Sequence, residues 1–174
     1  MSDTTTHFPL SGWRVLDLSS EIAGPYCAKL MTDLGADVIK VETPTQPDPL
    51  RRWTASDHRL EPDEDGALFQ FLNTSKRSIA LDPFDEEDRE SILKLAERSD
   101  LVIESWGPGG LAARGLDVAT LQARCSSLCV LSISNWGLEG PEAKRAATGF
   151  TLQASTGSID YRGLPGRKPV FSGG

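Results

Sequence analysis

The stretch that most constrains the fold is residues 15–42, which read VLDLSSEIAGPYCAKLMTDLGADVIKVE. The segment 15–18 is short and apolar, as in a β-strand, and the segment 36–42 has the same character. Between them, Gly24 and Pro25 suit entry into a helix, because glycine permits a tight backbone and proline fits the first helical turn. Two parallel strands need such a crossover between them. The stretch therefore predicts a β-α-β unit and a parallel sheet.

Further strand-like segments follow at 79–81, 100–104 and 128–133, and helix-like segments at 86–98 and 117–124 separate them. Strands that are apolar throughout, rather than alternating, indicate a parallel sheet with helices on both faces. The sequence therefore predicts an α/β fold. Since ligands of such sheets bind at the carboxyl ends of the strands, we expect the functional site in the loops that follow them.

The charge balance narrows the class of ligand. Lys and Arg number 18 against 25 Asp and Glu, which gives a net charge of −7. Nucleic acids and anionic membranes need a positive field, so we expect neither as a partner, whereas an anionic small molecule needs only a local basic pocket. No apolar run approaches the roughly 18 residues of a membrane span. The polar N-terminus has no signal-peptide core, and we expect a cytoplasmic protein.

The inventory of reactive side chains is small. The three cysteines, Cys27, Cys125 and Cys129, lack metal-ligand spacing, and we expect them to be buried thiols. The two histidines are His7, in the N-terminal tail, and His58, in a polar loop. The sequence therefore predicts neither a metal site nor a Ser-His-Asp triad.

Two basic clusters have open interpretations. Residues 51–53 (Arg-Arg-Trp) lie in the proline-rich and acidic stretch 43–66. They grip a phosphate, cover a pocket, or belong to a solvated loop with one aromatic anchor. Lys76 and Arg77 precede the third strand-like segment. They form either a phosphate-binding pair or a salt-bridging pair.

Five motifs occur in a characteristic order: RVLDL with IAGP, LGADVIKVE, NTSKRSIALD, SDLVIESWGPGGL and VLSISNWGLEGP. This series resembles the class III CoA-transferase (CaiB/BaiF) family, which includes formyl-CoA and carnitine CoA-transferases and α-methylacyl-CoA racemases. The resemblance implies a Rossmann-like domain, a linker and a smaller domain, with two interlocked subunits in a homodimer. Members are more than twice as long. We therefore expect a disordered tail at 1–11, a CoA-binding domain at 12–141, and a loosely structured extension at 142–174 that stops before the small domain.

The resemblance also implies a set of CoA contacts. The loop before AGP faces the thioester and pantetheine, the segment after the third strand contacts adenine and ribose, and Trp106 stacks on adenine. Arg114 lies one place after the family's usual arginine, and since a one-residue shift on a helix turns a side chain by about 100°, it need not reach the phosphates. The implied contacts are Glu21, Ile22, Ala23, Leu81, Asp82, Pro83, Phe84, Ser105, Trp106, Gly107 and Arg114.

The resemblance places the chemistry outside this chain. Family transferases pass CoA between an acyl-CoA and a carboxylic acid through a nucleophilic aspartate, and racemases use the matching aspartate with a histidine. That aspartate is expected a few residues beyond Gly174, while Gly149 stands at a usually acidic position and Thr148 at the racemase histidine. We therefore expect no turnover by the 174 residues. The alternatives are a non-catalytic CoA-binding or dimerising half and a fragment of a racemase. A nicotinamide-binding domain lacks its G-x-G-x-x-G signature here.

Overall fold

A five-stranded parallel sheet forms the centre of the computed structural model, which describes residues 8–55, 58–162 and 166–168. The strands are β1 (Arg14–Asp17), β2 (Asp37–Glu42), β3 (Arg77–Ala80), β4 (Leu101–Glu104) and β5 (Cys129–Ser132). Their spatial order is β3-β2-β1-β4-β5, and neighbouring strands pair in parallel. The chain thus moves outward from β1 through β2 to β3, and then crosses back to β4 on the other side of β1. The strand order reverses between β1 and β4, and such a point opens a crevice at the carboxyl ends.

Helices connect the strands and follow them. Their bounds are α1 (Ala23–Asp33), α2 (Ala67–Asn73), α3 (Glu86–Ala96), α4 (Gly110–Ala113), α5 (Val118–Arg124) and α6 (Gly149–Ser155), with a short 3₁₀ turn at Pro49–Arg51.

The core has two layers because neighbouring strand residues face opposite sides of the sheet. Val15 packs with Ala28 of α1 in one apolar cluster, whereas the next residue, Leu16, packs with Ile92 of α3 and Leu121 of α5 in the other. Helices therefore cover both faces, as the apolar strands predict. The chain has the α/β fold expected from its sequence.

Local chemistry explains where the first crossover begins and ends. At Gly24, an added Cβ would lie 2.2 Å from the Cβ of Ser19, so only glycine lets α1 start this close to the loop after β1. Gly35 has a φ of 96° and ends the helix, as expected of glycine in a left-handed conformation. Asp85 caps α3, since its Oδ1 accepts the N–H groups of Glu87 and Asp88.

The chain ends differ from expectation in two places. Residues 8–11 of the expected disordered tail form a turn in which the Leu10 N–H donates to the carbonyl of Leu34; the rest of that tail lies outside the described residues. Helix α6 was not predicted. Thr148 and Thr151 cap its start reciprocally, and none of its described residues is buried, so no apolar stripe marks it in the sequence.

One segment had no expected secondary structure, and one expectation about a cysteine needs correction. The apolar segment 67–73 received no secondary-structure prediction and forms helix α2, with Phe69 and Leu72 buried. Cys129 was expected to be a buried thiol, but it is exposed, because β5 is the last strand in the sheet order. Cys27 and Cys125 are half-buried.

Candidate functional site

Two adjoining cavities lie at the carboxyl ends of the strands. The first, of about 270 Å³, lies between the ends of β1 and β2 and the segment after β3. The second, of about 580 Å³, lies between the loops after β1, β4 and β5 and the start of α6. Ser20 and Trp106 belong to the walls of both cavities. The two cavities therefore form one extended depression near the place where the strand order reverses.

Most of the predicted contact residues line this depression. The first cavity is lined by Leu81, Pro83, Trp106 and Arg114. The second is lined by Glu21, Ile22, Ala23, Ser105, Trp106 and Gly107.

Asp82 and Phe84 are placed differently. Among the described residues, neither belongs to the wall of either cavity. The N–H of Phe84 donates to Asp82 Oδ1 at 2.9 Å, and the N–H of Asp82 donates to Asp88 Oδ2 at 2.8 Å. Asp82 thus organises the turn into α3, while the Phe84 ring is exposed beside the first cavity.

Arg114 lies on the wall of the first cavity despite its one-residue shift along the chain. The reason is that α4 ends at Ala113, so Arg114 follows the helix and the helical rotation does not apply to it. Its guanidinium carbon is 4.3 Å from the centre of the Trp106 ring and 5.1 Å from that of Phe84. Its Nη1 donates to the carbonyl of Gly110 at 2.9 Å.

The charge of Arg114 has no direct counterion among the described residues. No carboxylate of the described part of the chain lies within ion-pair distance of it. Burial lowers the pKa of Arg114, and the more distant Glu104 and Asp82 act in the opposite direction. A partly buried guanidinium without a carboxylate partner is suited to binding an anion.

The loop after β1 is fixed by side chains from other elements. Lys40 Nζ donates to the carbonyl of Ser19 at 2.8 Å, and the N–H of Ser20 donates to Ser105 Oγ at 3.0 Å. The N–H of Glu21 lies 3.2 and 3.3 Å from the two carboxylate oxygens of Asp48. Glu21 itself has a φ of 65°, a conformation that residues with side chains rarely adopt.

Sequence reasoning missed the buried charges beneath this loop. Lys76 Nζ lies 2.8 Å from Asp17 Oδ2, and Lys40 Nζ lies 3.3 Å from Asp48 Oδ2, with all four side chains enclosed. The signal was the presence of charged residues inside apolar strands. In an apolar run such as VIKVE, a lysine is compatible with burial only if it is paired.

Both basic clusters serve internal contacts. Lys76 is bound to Asp17, and burial lowers its pKa while Asp17 raises it. Arg77 forms an exposed ion pair with Asp37 at 2.5 Å. Of the two interpretations of this pair, the structure supports salt bridging.

Arg51 and Arg52 stabilise the long loop at residues 43–66 through internal contacts. Arg51 donates to both carboxylate oxygens of Glu42, at 2.9 and 2.7 Å, and to Asp65 at 2.6 Å. Arg52 donates to backbone carbonyls of residues 61–64. Burial raises the pKa of Glu42, but the hydrogen bonds from Arg51 and the backbone outweigh it, so the pKa lies below its usual value.

Trp136 and two basic residues line the second cavity. Trp136 Nε1 is buried and, within the described ranges, has no hydrogen-bond partner. Lys144 and Arg145 line the same cavity, and Arg145 also pairs with Glu142 at 2.9 Å. This arrangement favours a ligand that carries hydrogen-bond acceptors.

In the part of the chain that the structure describes, no group of three or more His, Cys, Asp or Glu could hold a metal ion. The described helices include none long and apolar enough to cross a membrane. The stretch 170–174, before the expected catalytic aspartate, lies outside the described residues.

The chain forms a parallel α/β domain with two adjoining cavities near the reversal of strand order. A family model described as CoA-transferase family III matches residues 10–174, and the chain belongs to this family.

Curated relatives agree with this assignment. The chain is 34% identical over 167 residues to the alpha subunit of succinyl-CoA–L-malate CoA-transferase from Chloroflexus aurantiacus, covering 95% of this chain and 38% of the relative. It is 39% identical over 168 residues to succinyl-CoA:mesaconate CoA-transferase from Haloarcula hispanica, covering 94% and 42%. The chain thus spans about two fifths of the length of these relatives and matches an N-terminal portion of the family.

Among solved structures, a CaiB/BaiF family protein from Brucella suis superposes with a TM-score of 0.88 at 40% identity. The match covers 96% of this chain and 44% of that one. The expectation of family membership, including the restriction to an N-terminal portion, is confirmed.

Proposed function

We propose that this chain supplies the CoA-binding part of an enzyme that transfers CoA between an acyl-CoA and a carboxylic acid. The observation that carries the proposal is the Arg114 guanidinium, which lies on the wall of the first cavity beside Trp106 and has no carboxylate partner among the described residues. CoA combines anionic phosphates with an aromatic base, so a cation and a stacking surface side by side match its nucleotide end.

In this proposal, the two cavities bind different parts of CoA. In the proposed complex, the nucleotide lies in the first cavity, against Leu81, Pro83 and Arg114, and the pantetheine passes Trp106 into the second. The thioester then lies beside Glu21 and Ser105. The continuous wall formed by Ser20 and Trp106 supports this path, since one extended ligand must cross between the two cavities.

The acid substrate belongs to the second cavity. Lys144 and Arg145 on its wall offer positive charge to a carboxylate. The curated relatives act on succinyl-CoA, as their names state. These features support a carboxylic acid as CoA acceptor.

The nucleophile in this proposal is an aspartate that forms acyl-enzyme and enzyme-CoA intermediates, located beyond Gly174. Gly149 and Thr148, at the start of α6, carry neither an acid nor a base at the positions that the family resemblance marks. The 174 residues therefore bind CoA without turnover. The complete enzyme is proposed to be a cytoplasmic homodimer.

A second candidate is a non-catalytic CoA-binding or dimerising half. Gly149 in place of an acidic residue favours it. Acyl exchange by the complete protein distinguishes the two candidates, because only the first gives turnover, and CoA binding by the chain excludes a half that only dimerises. Thr148 in place of histidine disfavours a racemase.

Calorimetric titration of CoA into the purified chain tests the binding proposal. We expect saturable binding that Trp106→Ala weakens by roughly five- to 100-fold, since stacking of a base contributes about 1–3 kcal/mol. Trp53→Ala is the matched control, because Trp53 is exposed on the long loop and lines neither cavity. Absence of binding by the folded chain, or equal effects of both substitutions, contradicts the proposal.

A further inference from the structure

Glu21 has a backbone conformation that needs an external cause. Its φ of 65° is positive, which sterics disfavour for residues with a Cβ; among the described non-glycine residues, Ser75 alone shares this property. Such conformations persist where the surrounding structure imposes them, and they concentrate at functional sites. Glu21 lies on the wall of the second cavity, so the contacts that impose its conformation also shape that wall.

The imposing contact comes from Asp48. The N–H of Glu21 faces the Asp48 carboxylate, at 3.3 Å from Oδ1 and 3.2 Å from Oδ2. Asp48 lies in the long loop after β2 and is buried, although the segment around it is polar. A hydrogen bond from a backbone N–H to a carboxylate is stronger than one between neutral groups, and more so away from water. This contact is therefore able to hold a disfavoured φ.

Asp48 is itself fixed by two residues of β2. Lys40 Nζ lies 3.3 Å from Asp48 Oδ2, and the N–H of Asp48 donates to Glu42 Oε1 at 3.1 Å. Lys40 and Glu42 are two residues apart, so they project from the same face of the strand. One strand face thus holds both the carboxylate and the backbone of Asp48.

Lys40 also reaches the loop after β1 directly, since its Nζ donates to the carbonyl of Ser19 at 2.8 Å. The same buried ammonium therefore contacts the loop two residues before Glu21 and the carboxylate that holds the Glu21 N–H. These contacts fix the loop at two points.

We propose that Lys40 and Asp48 are positioning residues, which hold Glu21 in its left-handed conformation and so preform the wall of the second cavity against which the thioester end of CoA binds. The inference rests on the proposed function, since that function places the thioester beside Glu21. A loop that is already ordered loses less conformational freedom when ligand binds, so the pair contributes to affinity without touching CoA.

Two measurements on the isotope-labelled chain test this proposal: the amide signal of Glu21 by NMR and the affinity for CoA by calorimetry. In Asp48→Ala we expect the Glu21 amide proton to move upfield and its hydrogen exchange to accelerate by about tenfold or more, with changes confined to residues 19–22 and 48–50. CoA affinity should fall by about tenfold.

Asp48→Asn provides the conservative comparison. Its side-chain oxygen still accepts the Glu21 N–H but no longer pairs with Lys40, so we expect an amide signal and an affinity between those of the original chain and Asp48→Ala. If Asp48→Ala fails to fold, the amide signal and the CoA affinity of Asp48→Asn alone test the proposal. Asp65→Ala is the control: Asp65 is the carboxylate of the same loop that pairs with Arg51, and neither cavity wall includes it.

The outcomes separate the two proposals. An unchanged Glu21 amide in both Asp48 variants overturns the positioning role. An altered amide with undiminished CoA affinity also overturns it. If the original chain does not bind CoA, the proposed function fails, and the amide signals still decide whether Asp48 holds Glu21.

Discussion

Lys76 Nζ lies 2.8 Å from Asp17 Oδ2, with both side chains almost fully enclosed beneath the loop that follows the first strand. The same ammonium donates to the carbonyl of Pro25 and to Asn73 Oδ1, each at 2.9 Å. One lysine thus joins β1, the start of α1 and the end of α2. It supports the floor of the site and takes no direct part in binding there.

We predict that Lys76→Met destabilises the chain by about 3–5 kcal/mol, because it leaves the Asp17 carboxylate buried without its partner. The free energy of unfolding from urea titration measures the effect. Adding Asp17→Asn should recover part of the loss, since it removes the unpaired charge. Arg77→Met is the control: its ion pair with Asp37 is exposed, and its loss should cost at most about 1 kcal/mol. Equal losses at positions 76 and 77 contradict the prediction.

The environment of Glu42 predicts that part of the free energy of unfolding is lost at acidic pH. Burial raises its pKa, but Arg51 and the N–H of Asp48 outweigh that effect and hold the pKa below its usual 4.5. A carboxylate with a lowered folded-state pKa stabilises the fold above its unfolded-state pKa, and this contribution is lost as the pH falls through the folded-state value.

The stability advantage of the original chain over Glu42→Gln should therefore be full above about pH 5 and shrink at lower pH. Urea unfolding at a series of pH values measures it. Glu139→Gln, at an exposed position in the loop after β5, should show no such trend. A constant difference between the original chain and Glu42→Gln across the range is the contrary result.

For Arg114, we expect Arg114→Met to weaken CoA binding by about tenfold and to leave pantetheine binding unchanged, because only CoA carries phosphates for the guanidinium. Calorimetry with both ligands measures the difference, which should narrow as salt increases. Arg52→Met is the matched control, since Arg52 binds backbone carbonyls of its own loop, away from both cavities. Equal losses for the two ligands would assign Arg114 a structural role.

The cysteines should react at different rates. Burial, and next the charge of Asp17, raise the pKa of the Cys27 thiol, and Lys76 offsets this only in part. Near pH 8, the thiolate fraction of Cys27 is therefore smaller than it is for a cysteine with the usual pKa. The Cys27 side chain is also less accessible than that of the exposed Cys129. Iodoacetamide labelling followed by peptide mass spectrometry should find Cys129 modified first. In concentrated urea the two rates should converge, and faster labelling of native Cys27 is incompatible with the described environment.

Hydrophobic patterns predicted the framework well because burial selects apolar residues at regular intervals. The β-α-β unit at 15–42 and helix α3 both appear where their patterns place them. Helix α6 was not predicted because none of its described residues is buried in an apolar face. A threonine capping box stabilises its start instead. Cys129 was misjudged because an apolar strand segment does not reveal that its strand ends the sheet.

Within the site, the family resemblance named part of the wall but not the contacts that support it. The family resemblance named Glu21 and Trp106, whereas the buried pair of Lys40 and Asp48 arises from tertiary contacts between β2 and the loop after it. A charged residue in a strand is usually assigned to a solvated face. The position of Arg114 depended on where α4 ends, and helix ends are the least predictable part of a local pattern.

The hydroxyl of Ser105 accepts the N–H of Ser20 and donates to its carbonyl across a separation of 85 residues. A contact between segments so distant along the chain forms only after β4 has docked against β1, so the cavities have no counterpart in a partly folded chain. A ligand that occupies them is therefore linked to unfolding of the whole domain. It should raise the midpoint of thermal denaturation progressively as its concentration exceeds its Kd, which makes a simple melting curve a screen for the natural acid and its thioester.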